Sequence, residues 1–261
     1  MKLRIFFTII TLTLMASSAK ASSVIEAADS AYSTSDYQKA AELYTKALAD
    51  EGLSPQLYYN LGNAYYRLNR PGLAILNYHR ALRLDPTYKD ARENLEFVNS
   101  RITDRPGERG TFLGNAIDSA ASAARSDTWA WIAFGAFAAT CALVALYVFS
   151  STVSYRKAGF FGGLAMLVIT GIALFLAIRG ASIQTDTTMA VVTEPSTILS
   201  TSPREPRDRS EEAMLLHEGT ALKILDSVRS VTDSVPGMWY DVEIDNQHRA
   251  WINSRHAERV R

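Results

Sequence analysis

Side chains able to do covalent chemistry are few in this chain. One cysteine, Cys141, lies inside an apolar run, which leaves no intramolecular disulfide, no thiolate metal cluster and no activated thiol. Four histidines, His79, His217, His248 and His256, are scattered without metal-ligand spacing. No Gly-x-Ser-x-Gly, His-Glu-x-x-His or phosphate-loop pattern occurs. These residues predict no catalysis, no metal and no cofactor. Lys+Arg and Asp+Glu both number 27, so no basic excess points to nucleic acid. What remains is recognition, and the segment dense enough for it is "YYNLGNAYYRLNRPGLAILNYHRALRLDP", Tyr58 to Pro86.

That segment is half of a repeat. "SDYQKAAELYTKAL" (Ser35–Leu48) registers on "NRPGLAILNYHRAL" (Asn69–Leu82), with Ala40 on Ala74, Tyr44 on Tyr78 and Ala47 on Ala81, always 34 residues apart. A fixed period of this size marks stacked helix–turn–helix units. Tyr58, Leu61 and Tyr65 fall on one helical stripe. Gly62 allows a second helix to cross closely, and Ala74, Tyr78 and Ala81 form the facing stripe. "NRPG" (Asn69–Gly72) is the turn, and Asp85-Pro86 ends the second helix. The units are predicted over 22–54 and 55–88, with a closing helix over 89–100, inside a repeat region of 22–102.

The second unit resembles the tetratricopeptide repeat (TPR). Tyr58, Leu61, Gly62, Tyr65, Ala74, Tyr78, Ala81 and Pro86 occupy its eight signature positions. The resemblance implies a non-catalytic stack whose concave face binds peptides through Tyr59, Asn63, Tyr66 and Arg67, with Asp29 and Tyr32 from the first unit. Asn60 and Asn94, at equivalent positions of successive units, either hydrogen-bond an extended peptide backbone or brace the helix turns.

Other segments place the repeats. Lys2 and Arg4, then the apolar Ile5–Met15 of 11 residues, then "ASSAKA", read as an export signal over 1–21. Trp129–Phe149 and Ala158–Ile178 are charge-free runs of 21 residues each, long enough to cross a bilayer. Two transmembrane helices are predicted over 128–149 and 158–178. The eight-residue loop 150–157 carries Arg156 and Lys157 and is expected in the cytoplasm, which puts both terminal regions outside. Gly159-x-x-x-Gly163 and Gly135-x-x-x-Ala139 permit close helix contact, read as packing of the hairpin against itself rather than docking to other membrane proteins. A linker covers 103–127, in which Phe112, Leu113 and Ile117 suggest a short interfacial helix.

Beyond the second span, "MAVV", "STIL", "ALKILD", "WYDVEI", "RAWI" and "ERVR" alternate with turn signals, predicting an all-β module over 187–261. In "WYDVEI", Trp239 shares a face with a polar Asp241 and Glu243. "LHEGTALKILD", Trp239 and "RAWI" resemble a bacterial SH3-like barrel, with Trp239 and Trp251 as a possible ligand groove or as core. Ser200–Ala213 reads as a charged, mobile insertion.

The predicted architecture is thus multidomain: all-α repeats, a two-helix transmembrane hairpin and a C-terminal all-β SH3-like barrel. In that order the chain resembles the TPR/SH3 membrane proteins of bacterial aerotolerance (Bat-type) operons. The resemblance implies anchorage in the lipid bilayer of the inner membrane, with both domains periplasmic. It also implies partners: von Willebrand A-domain membrane proteins and, indirectly, a MoxR-type AAA+ ATPase, in envelope stress. The alternative is a wall-attachment or sensing module, in which the β domain binds peptidoglycan or a peptide.

Overall fold

Ser35 and Asn69 both adopt the left-handed backbone region, at φ 65° and 57°, and they occupy the same position of the 34-residue period. The computed structural model describes residues 23–104, 109–230 and 237–261; the expected export signal lies outside them. At each left-handed turn the next residue closes the preceding helix in the same way, Asp36 N–H donating to Ala31 O at 2.9 Å and Arg70 N–H to Tyr65 O at 3.0 Å. The helices so separated are α1 (residues 23–33), α2 (Tyr37–Glu51), α3 (Pro55–Arg67), α4 (Pro71–Leu84) and α5 (Lys89–Asn99). Side chains start them: Asp36 caps α2, and Ser54 caps α3 ahead of Pro55. The period also fixes the packing. A Cβ on Gly62 would lie 2.7 Å from the Tyr78 ring, and Ala74, Tyr78 and Ala81 are buried. Gly62→Ala therefore displaces a fully buried ring, and a loss of roughly 1–3 kcal/mol in thermal unfolding is expected. Unchanged stability would mean that the two helices do not meet at this contact.

Among the described residues, seven antiparallel strands follow the second apolar run: β1 (Met189–Val192), β2 (Ser196–Ser200), β3 (Glu212–His217), β4 (Ala221–Ser230), β5 (Gly237–Glu243), β6 (Arg249–Asn253) and β7 (Ala257–Arg259). Their order is β3-β2-β6-β5-β4-β1-β7. β3 and β7 are the two ends and do not pair, so the expected closed SH3-like barrel is instead an open antiparallel sheet around a core of residues such as Val192, Leu199, Leu222, Val242 and Ile252. Two local expectations also change. Strand β3, "EAMLLH", was not foreseen, because Glu, Ala, Met and Leu favour helix, so part of the expected 200–213 insertion is strand. Asp241 is not on a solvated polar face: it is 3% exposed, and the Arg249 guanidinium grips both of its oxygens.

Repeats and sheet form one compact body. Strand β1 is buried on both faces. Ala190 and Val192 point into the sheet's core, while Met189 and Val191 join Ile75, Leu76, Tyr78, Leu95, Val98 and Val260 in a cluster centred on α4 and α5. Alternation sends every second side chain each way, so a strand covered on both sides must read as the continuous apolar run it is. The junction is close. A Cβ on Gly72 would meet Val192 O at 2.6 Å, and one on Gly219, itself at φ +90°, would meet Ile75 and Ile102 at 2.9 Å. Arg80 pairs with Glu258 at 2.5 Å and Arg83 donates to Val260 O at 2.6 Å. Past α5, Asp104 accepts from His217 N–H at 2.6 Å and from the Thr220 hydroxyl at 2.9 Å.

A second compact body is the hairpin with its leading segment: α6 (Phe112–Ala121), α7 (Ser126–Phe149) and α8 (Val153–Thr185). Both α7 and α8 are long and apolar enough to cross a membrane. Nothing in "VSYRK" breaks a helix, so α8 starts before the apolar run and the expected eight-residue loop shrinks to residues 150–152. Arg156 and Lys157 sit in the first turns of α8. The two small-residue motifs differ. A Cβ on Gly159 would meet Leu143 O at 2.6 Å and Tyr147 N at 2.7 Å, whereas one on Gly135 would meet nothing within 4 Å. Gly159 therefore serves packing of the hairpin against itself.

Candidate functional site

The repeat face is built on a hydrogen-bond brace that recurs with the period. In the first unit the Tyr44 hydroxyl donates to Asp29 Oδ1 at 2.6 Å. One period on, the Tyr78 hydroxyl donates to Asn63 Oδ1 at 2.7 Å. Burial, with Asp29 adding to it at Tyr44, pushes both phenols well above the ordinary tyrosine range. Both are thus fixed as neutral donors. Asn94, arriving on α5, donates to the same Asn63 Oδ1 at 2.8 Å and to the Tyr59 hydroxyl at 3.4 Å. Asn60 accepts from Gln56 at 2.9 Å. Asn60 and Asn94 thus both hold side-chain partners within the repeats.

Around the brace runs a row of half-exposed rings. Tyr32 and Tyr37 meet edge-on at 5.3 Å, and Arg67 lies 4.9 Å over Tyr37 while donating to its hydroxyl at 2.6 Å. Tyr59 stands between Tyr78 at 6.1 Å and Tyr88 at 5.2 Å. Tyr66 meets Phe97 at 5.8 Å, and Arg101 covers the Phe97 ring at 3.5 Å. Sequence reasoning placed Tyr59, Tyr66, Arg67 and Tyr32 here but missed Tyr37, Tyr88, Phe97 and Arg101. The signal was available for two of them: Phe97 and Arg101 stand one period after Asn63 and Arg67. Flat aromatic faces and guanidinium donors suit an extended peptide, which presents apolar side chains and free carbonyls.

Asp29 of the brace and Asn60, which meets Tyr88 of that row through Gln56, also bound a cavity. They line this cavity, of about 450 Å³, with Ile25, Leu53, Gln56 and Leu57, between α1, the turn after α2, and α3; this is within the size range of ligand pockets. In the sheet, the register makes Trp239 and Trp251 diagonal neighbours on one face. Trp239 is 2% exposed, so it supports that face from within and only Trp251, half-buried, is open to a ligand.

Helix α4 carries a titratable group, His79. Burial, with Arg109 nearby, holds His79 down at about 4. It is therefore neutral in the folded chain, whereas the unfolded chain protonates it below about 6.5. Protons favour the unfolded state between those two values, so stability falls as pH drops from about 6.5 to about 4 and is flat in this term below. For a half-buried ring the loss is on the order of 1–2 kcal/mol. Urea unfolding across this range should show the slope in the native chain and not in His79→Gln. Asp104 is separable: burial raises its carboxyl, but the bonds from His217 and Thr220 together hold it below the usual range, so its contribution disappears only at more acid pH.

Residues 25–89 match the tetratricopeptide repeat family. Comparison with curated proteins gives no match.

Proposed function

We propose that this chain, which carries tetratricopeptide repeats, is a membrane-anchored scaffold that holds extended segments of protein partners against the face of α1, α3 and α5. The observation that carries the reading is the core shared by repeats and sheet. Val191 and Val260 pack among helices that precede the hairpin in sequence, which supports a chain that leaves and returns to one side of the bilayer, as two crossings do. The export-type N-terminus and the positive turn of Arg156 and Lys157 favour the outer face of the inner membrane. A face of aromatic rings and guanidinium groups suits assembly rather than turnover. The architecture's resemblance to aerotolerance operon proteins supplies the partner class: von Willebrand A-domain membrane proteins, with a MoxR-type AAA+ ATPase beyond them, in an envelope-stress system.

In-cell crosslinking and detergent purification of the tagged chain, read by mass spectrometry, tests this. Von Willebrand A-domain proteins should co-purify, and Tyr66→Ala/Phe97→Ala should deplete them while leaving the chain folded. A second reading, of the sheet as a wall- or peptide-binding module, draws on Ile198 and Leu215. They are direct cross-strand neighbours and both are exposed, at the β3 edge. An eluate holding wall fragments and no membrane protein would favour it.

A further inference from the structure

We infer that α6 is an interfacial foot, whose apolar face lies in the headgroup–acyl boundary of the leaflet at the open end of the hairpin. This rests on the reading of α7 and α8 as membrane spans. At about 100° per residue, Phe112, Leu113, Ala116, Ile117 and Ala120 fall within an arc of about 140°. That arc carries no charge. Among the described residues, Phe112 is 91% and Leu113 68% exposed, a large apolar payload for a ten-residue helix. Asn115 and Asp118 lie on the other side.

The position of α6 along the hairpin says what covers that face. Asp118 receives both Arg179 Nε at 2.6 Å and a second guanidinium nitrogen at 2.9 Å, and Arg179 directly follows the charge-free run ending at Ile178. On α7, the Trp129 indole N–H donates to Ala121 O at 3.1 Å, and Trp129 is the first residue of the other charge-free run. A Cβ on Gly180 would meet Ala121 O at 3.3 Å, so small residues bring α6 close to α8. The helix is thereby held at the depth where both charge-free runs end. An amphipathic helix at that depth buries its apolar side about 5–10 Å into the boundary region. With Asp118 already paired and no lysine on α6, the attraction is apolar, so zwitterionic lipid is sufficient and anionic lipid adds nothing.

The test uses the full chain with Cys141→Ala and one fluorophore-labelled cysteine, in phosphatidylcholine vesicles with and without nitroxide lipids. Leu113→Cys should be quenched by a shallow nitroxide at least about twofold more than Asn115→Cys, with iodide in the water giving the reverse order. Adding phosphatidylglycerol should not change this. Leu167→Cys, in the middle of α8, should be quenched by a deep nitroxide. If Leu167→Cys is quenched while Leu113→Cys is as open to iodide as Asn115→Cys, the foot is overturned and the spans stand. If Leu167→Cys is not quenched by lipid, the spans fail and the foot with them.

Discussion

Replacing Val191 by aspartate is expected to unfold the repeats together with the sheet, although Val191 lies more than one hundred residues after α4 in sequence. The valine is fully buried in a cluster with Ile75, Leu76, Tyr78, Leu95 and Val98, and its strand pairs with both β4 and β7. A carboxylate there would lie beside its cross-strand neighbour Glu258, which already holds Arg80. An unpaired buried charge costs several kcal/mol, a large part of the roughly 5–15 kcal/mol that holds a domain folded. Hydrogen exchange read by mass spectrometry should show protection lost in peptides from Pro71–Leu84 as well as in β1. Native protection in α4 beside an exchanged sheet would show instead that the modules fold independently. One consequence concerns truncation: a chain ending before Thr187 leaves Ile75 and Leu76 uncovered, so loss of partner binding by such a chain says nothing about the sheet's own ligands.

The second large effect is expected in the hairpin. Gly159→Leu places side-chain atoms where α7 presents its backbone, Leu143 O at 2.6 Å and Tyr147 N at 2.7 Å from the first added carbon. Backbone atoms cannot swing aside as a side-chain end can, so the helices must part along their length. A loss of about 2–3 kcal/mol is expected in detergent-mixture unfolding followed by helicity. Gly135→Leu is the control, since nothing lies within 4 Å of its added carbon, and it should change little. Equal behaviour of the two variants would contradict the packing assigned to Gly159.

What could be read from sequence was whatever is encoded within one element or one period. The turn at Asn69 and the Gly62–Tyr78 crossing follow from the 34-residue period, whereas the caps at Asp36 and Ser54 are local and do not recur, Arg70 and Tyr88 standing one period on. Strand β1 was legible because a doubly covered strand is apolar throughout. Strand β3 was not, because helix-favouring residues take strand form where pairing with β2 overrides propensity. Helix α8 outruns the charge-free run because hydropathy marks the apolar stretch, not the helix; five residues from Val153 and seven after Ile178 continue it. Least legible was the junction of repeats and sheet. Ile75 meeting Val191, or Arg80 meeting Glu258, leaves no periodic trace, since the hairpin lies between them in the chain. The bracing role of Asn63 was hidden for a similar reason: its partners come from two other helices, α4 and α5.

The central claim, that the repeat face holds a protein partner, is tested most directly by a photoreactive phenylalanine analogue at position 97 in living cells. The ring there is half-exposed, beside Tyr66 and Arg101. Irradiation should join the chain to a membrane protein carrying a von Willebrand A domain, and the same analogue at position 215 on β3 should give no such adduct. Adducts formed only at position 215, or with wall material rather than protein, would contradict it.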